Sequence, residues 1–423
     1  MQIEIKKIMA KYLAFLGTSG AIENSKTLPI KERMQIAGIN TGNLAFQRAA
    51  AKIFANDRHF IGRSGVDYND PSAYRGIDYL VFPAANHLRL NADWTGLTSF
   101  LKNSPAPLII LGLGAQAKAL EGDEASIDAL CKDDNVLRFV EVLQKKAALV
   151  TVRGAFTKSV CDAMGLENTL PLGCPSLFLN DDPKMGVRIE RQIQSLANDA
   201  DEAPLKFGLA AAAPNEITEG SPLRPVEQWL FSNLVAGNGL YIQQSGGLAA
   251  ESYAAGANSE LSLQDFLSLK NALYCDGSFD DFIPFMATRQ RIYWSIDTWQ
   301  EQVKDLPLII GTRLHGNMLA LSTGKPGVFI GHDSRTTELI SAMKLPRASF
   351  SDVVEAGSAR QLLKKVVFDG ADFDKNRYRI AAEYAAQFEK LELSLSDGIR
   401  ALAEAYNPEE EKPIKKKRGW FGL

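Results

Sequence analysis

The stretch PLIIGTRLHGNMLALSTGKPGVFIG, residues 307–331, sets the fold class of this 423-residue chain. An apolar run rich in Leu and Ile ends in a Gly–Thr turn, and a segment with Leu314 and Met318 on one helical face follows. That segment stops at Gly324, with Pro326 just beyond, and a second apolar run, GVFIG, comes next. A strand, a helix and another strand in this order predict a βαβ unit of a parallel sheet.

The same pattern recurs along the chain and divides it into two halves. Apolar runs followed by glycine or asparagine turns predict further parallel strands at 11–17, 78–83, 107–112, 147–152, 206–210 and 239–244, besides those at 306–311 and 327–331. Between the two sets lies NDDPKMG, residues 180–186, which combines turn formers, a proline and a glycine. We therefore predict an α/β protein with two similar-sized domains, 1–183 and 184–406, the second with a terminal helix, and a disordered tail at 407–423.

Composition and charge exclude several classes of protein. The 47 Lys and Arg and 50 Asp and Glu residues leave a net charge of −3, so no global positive field is present to bind nucleic acid. With 46% hydrophobic and 23% charged residues, the sequence has the composition of a globular protein. Its four cysteines form no C-x-x-C pair, so we expect reduced thiols, no zinc site and a cytoplasmic location. No run of apolar residues is long enough to predict a membrane span.

Two arginines and a histidine stand where predicted helices begin. Arg153 directly follows the strand ALVTV, Arg313 follows PLIIGT, and His315 lies two residues further on, beside Gly316. In open parallel sheets ligands bind at this edge, because helix N-termini present free N–H groups to it. An arginine fork there suits a carboxylate or phosphate, although an ion pair with a neighbouring loop explains it equally well. For His315 we favour anion binding or general acid chemistry.

The loop GHDSR, residues 331–335, lies on the same predicted edge. Asp333 and Arg335 either form an ion pair that holds the loop or orient a sugar or phosphate, and we weigh these equally. Glu338 fits a capping-box position in the helix that follows. For His332 a solvated or capping role is the favoured interpretation.

Glycine turns supply weaker candidates. The run LGLGAQA places Gly112 and Gly114 after a strand in a relaxed match to the dinucleotide fingerprint, but the next strand ends in Arg153 and not in an acid. We therefore interpret it as a tight turn that lets a ligand or backbone approach, and not as an NAD site. The turns at 40–43 and 243–247 have the same interpretation, with a purely structural glycine as the alternative.

The end of the chain, KKKRGWFGL from Lys415 to Leu423, places four cations beside two aromatic residues. Such a composition is typical of a weak interfacial membrane anchor, in which each cation contributes about 1 kcal/mol at an anionic surface. A disordered terminal tail is the alternative, and we favour it slightly.

Two segments resemble the polysaccharide pyruvyl transferases. They are VRGAFTKSVCDAMGLENTLPLGCPSLFLN, residues 152–180, and GTRLHGNMLALSTGKPGVFIGHDSRTTEL, residues 311–339. The GxRxHG element and the D-x-R-x-x-E-L end of the second segment are the more specific features. With the glycine turns in the same order, the resemblance spans residues 11 to 345.

The resemblance implies a fold like the two-domain GT-B glycosyltransferases, with Rossmann-like domains facing a cleft, the first on the acceptor side and the second on the donor side. It also implies transfer of a pyruvyl group from phosphoenolpyruvate to two hydroxyls of one sugar in an exopolysaccharide or cell-surface glycan. The products are a cyclic ketal and phosphate, and neither a cofactor nor a metal is expected. By motif match, His315 and Arg313 correspond to the family's phosphoenolpyruvate-binding and catalytic pair, with Arg153 as a further anion ligand.

The remaining site residues follow from these roles. We expect donor contacts from Gly311, Gly316, Asn317, Asp333, Arg335, Gln244 and Ser245, and acceptor contacts from Asn43, Asn86, Gly112, Gly114 and Gln116. The sequence departs from the family in INTGNLAF, where Asn43 stands at a position that is often acidic, so no acidic role is expected there.

The implied chemistry agrees with these residue types. Phosphoenolpyruvate carries a carboxylate and a phosphate, which two arginines and two helix N-termini match in charge. Protonation of its methylene carbon makes C2 electrophilic, one sugar hydroxyl attacks, phosphate leaves, and the second hydroxyl closes the ketal. We expect His315 to be the proton donor or the phosphate-side electrophile.

Two other functions remain open from the sequence. A GT-B glycosyltransferase that uses a nucleotide sugar is the first, since a fold does not fix function, and a non-catalytic glycan-binding protein is the second. If the acceptor is lipid-linked, the basic and aromatic tail from Lys415 to Leu423 would bring the protein into peripheral contact with the inner face of the membrane.

Overall fold

The computed structural model describes residues 11–62, 74, 76–117, 122–200, 203–246 and 263–411. Its first half is built on a six-stranded sheet with the order β2-β1-β3-β4-β5-β6, and every pair of neighbours is parallel. The strands are β1 Leu13–Leu16, β2 Arg58–Ile61, β3 Tyr79–Pro83, β4 Leu108–Leu113, β5 Ala147–Val152 and β6 Leu170–Pro171.

The second half repeats this architecture. Its six strands have the order β12-β11-β10-β7-β8-β9, again with only parallel neighbours. They are β7 Gly208–Ala210, β8 Leu240–Ile242, β9 Gln290–Arg291, β10 Ile309–Gly311, β11 Gly327–Ile330 and β12 Arg347–Ala348. Two doubly wound parallel sheets confirm the prediction of two Rossmann-like α/β domains.

Helices cover both faces of the sheets, as parallel strands that are buried on both sides require. In the first half they are α1 Ile30–Ile36, α2 Asn43–Ile53, α3 Thr95–Asn103, α4 Glu124–Leu130, α5 Asp134–Lys146 and α6 Ala155–Ala163. After these come α7 Met185–Asn198, α8 Leu223–Ala236, α9 Leu263–Leu273, α10 Phe279–Arg289, α11 Ile296–Val303, α12 Leu314–Ser322, α13 Ser334–Ala342, α14 Phe350–Glu355, α15 Ala359–Lys365, α16 Gly370–Lys390 and α17 Asp397–Glu404. Short 3₁₀ turns occupy Pro175–Phe178, Pro214–Glu216 and Pro408–Glu411.

The chain returns to the first sheet near its end. The ring of Phe388, in α16, lies 4.5 Å from that of Phe54 between centroids. An isolated antiparallel bridge joins Phe54 to Leu395, and the Tyr384 hydroxyl lies 3.5 Å from Oγ1 of Thr151 in β5. Residues beyond 380 therefore stabilise the first sheet although they follow the second one. The division at residues 183 and 184 stays a prediction.

Backbone hydrogen bonds join the two halves directly. The Thr41 amide donates to the Gln244 carbonyl at 2.9 Å, and the Ile22 amide donates to the Trp294 carbonyl at 2.8 Å. Since Thr41 follows α1 and Gln244 follows β8, these contacts bring loops of one half against strand ends of the other. The result is a cleft between the two sheets.

The predicted tail from Lys415 to Leu423 lies outside the described residues. Among the helices that are described, none is long and apolar enough to cross a membrane.

Candidate active site

A cleft with a volume of about 120 Å³ opens where the carboxyl ends of both sheets meet. Its walls come from the residues directly after β3, β5, β8, β10 and β11, which is the ligand edge of a parallel sheet. Seven of the predicted site residues line it: Asn43, Asn86, Arg153, Gln244, Arg313, His315 and Arg335. These seven residues therefore lie together in one cleft, as expected for side chains at the ends of neighbouring parallel strands, and their roles stay predictions.

Arg153 is the cation of the cleft that lacks a counter-ion. Only 6% of the residue is exposed, and its Nε donates to the Gly112 carbonyl at 3.3 Å. Within the described parts of the chain, no carboxylate forms an ion pair with it. Gly114 makes room for the side chain, since a Cβ added there would lie 2.6 Å from the Arg153 Cδ. A buried guanidinium without a carboxylate partner costs free energy, which a bound anion would return.

The other two arginines of the cleft are already paired. Arg313 forms an ion pair with Glu216 and donates to the Ser245 hydroxyl at 3.1 Å. Arg335 forms an ion pair with Asp333. The loop-pairing interpretation thus applies to these two arginines and not to Arg153.

His315 lies in the first turn of α12, against the first half of the protein. Its ring lies 5.3 Å from that of Phe46 between centroids, and its Nε2 is 3.5 Å from the Sγ of Cys174. Burial, together with the nearby charge of Arg153, lowers the pKa of His315 to about 3. The imidazole is therefore neutral near pH 7. A neutral ring at a helix N-terminus acts well as a hydrogen-bond donor to an anion and poorly as a proton donor.

The close approach of the two halves at His315 depends on a glycine. Gly42, in the turn before α2, has no room for a side chain: an added Cβ would lie 2.6 Å from Gln244 Oε1 and 3.0 Å from the His315 Cβ. The turn INTGN, predicted to let a ligand or backbone approach, here admits the side chains of Gln244 and His315 from the opposite half.

One helix N-terminus that was expected to receive the donor is filled by the protein itself. The Thr157 amide, in the first turn of α6, donates to Glu338 Oε1 at 2.7 Å, and the Thr157 hydroxyl donates to Oε2 at 2.8 Å. Glu338 comes from α13 of the second half, so its carboxylate caps a helix of the first half. The structure therefore differs from the expectation of two free helix N-termini: the Thr157 amide of α6 is occupied by Glu338, whereas α12 has no side-chain cap.

The loop after β11 is held by a dense set of bonds. Asp333 Oδ1 accepts from the Thr336 amide at 2.9 Å and so caps α13, in place of the expected box with Glu338. Burial alone would raise the pKa of Asp333, but His332 and Arg335 outweigh it and lower the pKa to about 2. Asp333 is thus a fixed anion next to the cleft.

Several predicted site residues lie behind the cleft wall. Asn317 is fully buried and donates from Nδ2 to the Gly311 carbonyl at 2.8 Å, which ties the end of β10 to α12. Gly311 itself packs against the Ala210 carbonyl in β7, and Gly316 against the Ala210 and Gln244 side chains. These positions shape the turn that carries Arg313 and His315. Their assignment as donor contacts stays a prediction.

The acceptor candidates divide in the same way. Asn43 and Asn86 line the cleft, and Asn86 Nδ2 donates to Gln116 Oε1 at 2.7 Å. Gly112 and Gly114 lie beside Arg153 and accommodate it. Their roles as acceptor contacts also stay predictions.

Sequence reasoning missed two polar residues of the site and undervalued a third. Glu216 was not considered, although it follows the predicted strand at 206–210 by a few residues. Cys174 was noted only as an isolated thiol, and burial raises the pKa of that thiol, so it stays neutral. His332 lines the cleft, against the favoured interpretation of a solvated or capping residue.

The described residues contain no group of three or more His, Cys, Asp or Glu side chains placed to hold a metal ion. The absence of a metal from the reaction was an expectation and stays one.

The fold and the cleft define the class of this chain: a two-domain α/β protein whose site lies between Rossmann-like halves and carries three arginines. A family model described as polysaccharide pyruvyl transferase matches residues 40–334, which is more than half of the chain. The chain belongs to the polysaccharide pyruvyl transferase family, which indicates a transferase of pyruvyl groups.

A comparison with solved structures gives matches of low similarity, two of which are the following. A co-structure of S. aureus MnaA with UDP is 11% identical, covers 89% of this chain and 97% of that one, and has a TM-score of 0.39. The glycosyltransferase SnogD from Streptomyces nogalater is 10% identical, covers 93% and 98%, and has a TM-score of 0.30. No curated protein sequence matches the chain.

Proposed function

We propose that the protein transfers a pyruvyl group from phosphoenolpyruvate to two hydroxyls of one sugar, forms a cyclic ketal and releases phosphate. Family membership supports the transfer of a pyruvyl group. The observation that carries the choice of donor is Arg153, a buried guanidinium that faces the cleft without a carboxylate partner. A donor with a carboxylate and a phosphate supplies the missing negative charge.

The second domain would hold the donor, with Arg153 reaching it across the cleft from the end of β5 in the first domain. Arg153 binds one anionic group of phosphoenolpyruvate, and the free N–H groups at the start of α12 bind the other. His315 donates a hydrogen bond to the phosphate from its neutral ring, which makes the phosphate-side role the better of its two predicted roles. The ion pair with Glu216 orients the Arg313 side chain, which adds positive charge at one side of the donor site.

The reaction redistributes two protons. Two hydroxyl O–H bonds break, two new bonds join the sugar oxygens to C2, and the bond from C2 to the phosphate oxygen breaks. One of the two protons ends on C3, which becomes the methyl group, and the other leaves on phosphate. No oxidant or reductant takes part.

The first domain would hold the acceptor, a sugar of an exopolysaccharide or cell-surface glycan. Asn43 and Asn86 face the cleft from this side and offer amide groups that suit sugar hydroxyls. We further propose a cytoplasmic site of action, with a lipid-linked acceptor reached through peripheral contact of the tail with the membrane. Deletion of residues 415–423 should then reduce the membrane-bound fraction, and an unchanged fraction would remove this contact.

Phosphate release from phosphoenolpyruvate, measured with a panel of sugar acceptors, tests the proposal. We expect acceptor-dependent release by the wild type and a loss of at least about 10²-fold in His315→Ala. His59→Ala is the matched control, because His59 lies on edge strand β2 and contacts Tyr12 away from the cleft. Stabilisation by a uridine or cytidine diphosphate sugar and not by phosphoenolpyruvate would favour the glycosyltransferase instead. Binding of glycan without any turnover would favour the non-catalytic alternative.

A further inference from the structure

His332 has a buried polar ring that forms no hydrogen bond with the residues that the structure describes. Only 9% of its side chain is exposed, and the ring lines the cleft together with Arg153 and His315. Neither Nδ1 nor Nε2 has a hydrogen-bond partner among the described residues. Leaving a buried donor or acceptor unsatisfied costs about 1–3 kcal/mol. A buried ring without hydrogen bonds at the ligand edge of the sheet can gain them from a substrate that enters the cleft.

The loop fixes the backbone at His332. The His332 amide donates to the Thr336 hydroxyl at 3.1 Å, and Thr336 in turn belongs to the capping box of α13. The backbone that carries the ring is thus fixed by the start of a helix. Neither ring nitrogen is used in a hydrogen bond to a described residue, which leaves both for a substrate.

The charges around His332 differ from those around His315. Nε2 of His332 lies 3.6 Å from Oδ2 of Asp333, a carboxylate that stays ionised. Arg335 shares its loop, Arg313 faces it from the start of α12, and Glu216 faces it from the turn after β7. In the free protein burial lowers the pKa of His332 and the two arginines add to this, whereas Asp333 and Glu216 oppose it.

A bound anionic donor changes this balance in one direction. The carboxylate and phosphate of phosphoenolpyruvate add negative charge beside Asp333, and negative charge favours the imidazolium. His315 has no carboxylate neighbour of this kind among its described contacts, and Arg153 disfavours its charged form. Of the two histidines in the cleft, His332 is therefore the better carrier of a proton in the complex.

We propose that His332 is a second catalytic histidine, which carries the proton that leaves on phosphate. This role rests on the proposed function. As the bond from C2 to the phosphate oxygen breaks, its electron pair goes to that oxygen, which takes a proton from the His332 imidazolium. The second sugar hydroxyl then attacks C2, and its proton returns to the neutral ring. The ring ends as it began, and phosphate departs as hydrogen phosphate.

The first experiment observes the ring itself. The chain has only four histidines, so the full-length protein labelled with ¹³C in its histidine rings gives a small set of signals. His332→Gln and His315→Gln assign the two cleft signals, and the signals of His59 and His87 serve as internal controls. With phosphoenolpyruvate present, we expect the His332 signal to move and its apparent pKa to rise by about 1 unit or more, while the control signals stay in place.

The second experiment measures turnover. We expect His332→Gln to lower kcat by about 10²-fold or more, to change KM for phosphoenolpyruvate much less, and to remove one limb of the pH profile of kcat. His59→Gln should match the wild type in all three. An unchanged Tm separates this result from misfolding.

Two outcomes overturn the role of His332. In the first, phosphoenolpyruvate stabilises the wild type, but the His332 signal and its pKa stay unchanged. In the second, the His332→Gln variant keeps the kcat of the wild type. Both leave the proposed function intact. If phosphoenolpyruvate neither stabilises the wild type nor shifts any histidine signal, the proposed function itself is wrong and this role falls with it.

Discussion

Replacement of Arg153 with methionine should separate binding from stability. The guanidinium is 6% exposed and has no ion pair with a carboxylate in the described chain. Its charge therefore costs desolvation free energy, which the more distant carboxylates of Glu338 and Asp333 offset only in part, so that burial still lowers the pKa of Arg153. Replacing a poorly compensated buried charge by an apolar side chain of similar length is often neutral or stabilising by about 1–4 kcal/mol. We expect Arg153→Met to unfold at the same Tm as the wild type or a higher one.

The same substitution should weaken the donor complex strongly. A hydrogen bond to a charged partner contributes about 1.5–3 kcal/mol, and about 1.4 kcal/mol corresponds to a factor of ten in affinity. The Kd for phosphoenolpyruvate should then rise by about 10- to 150-fold, as measured by isothermal titration calorimetry with the full chain.

Arg313→Met is the matched control, because Arg313 is already paired. It leaves Glu216 without its cation, so the free energy of unfolding should fall by about 1 kcal/mol. A stabilised Arg153→Met beside a destabilised Arg313→Met is the expected contrast. An Arg153→Met protein with unchanged affinity for phosphoenolpyruvate and a clearly lowered Tm would refute the reasoning, since Arg153 would then be structural.

Three further predictions concern the frame of the site. Gly42→Ala places a methyl group 2.6 Å from Gln244 Oε1, so it should lower turnover at least about tenfold by moving the two halves apart, with a smaller effect on Tm. Glu338→Ala uncaps α6 at Thr157 and should lower the free energy of unfolding by about 1–2 kcal/mol in denaturant titrations. Asp333 has a pKa lowered from 3.8 to about 2, so its stabilisation is present above pH 3.8 and is lost as the pH falls through about 2. Asp333→Asn should accordingly flatten the dependence of Tm on pH across that interval, and an unchanged slope would contradict the assignment.

The apolar pattern predicted the centre of each sheet and missed its edges. Each of the eight predicted runs overlaps a strand of the structure, and seven of them contain it completely, while β4 extends one residue beyond its run. The four strands that the pattern missed, β2, β6, β9 and β12, are the four sheet edges. Three of these have only two residues, and β2, with the sequence RHFI, is half-exposed. An edge strand buries little, so it needs no run of apolar residues and leaves no such signal.

In the candidate site, too, some features could be predicted from the sequence and others could not. The position of Arg153, Arg313 and His315 at the cleft could be predicted, because each lies at or shortly after the end of an apolar strand, and strand ends meet at one edge. The pairing of Arg313 with Glu216 and of Thr157 with Glu338 could not, because these residues lie 97 and 181 positions apart. Which carboxylate reaches which cation depends on how the two sheets face each other. That relation is set by tertiary packing and has no local period in the sequence.

His332 shows why residue type and neighbours were insufficient. The loop GHDSR places His332 directly beside Asp333 in the sequence, and from the sequence a solvated or capping role was the favoured interpretation of His332. In the folded protein the carboxylate oxygens of Asp333 accept hydrogen bonds from Arg335 and Thr336. The His332 ring lines the cleft instead. Whether Asp333 binds the His332 ring depends on which other donors its carboxylate oxygens already accept. Those donors are known only from the folded structure.

The most direct test follows the pyruvyl carbon. The full-length protein is incubated with phosphoenolpyruvate labelled with ¹³C at C2 and with a glycan acceptor, and the product is examined by NMR. The account predicts that the label appears in a quaternary ketal carbon bonded to two oxygens of one sugar, with one phosphate released for each ketal formed. Label that remains in phosphoenolpyruvate, or is released only as pyruvate while the sugar stays unmodified, would contradict it.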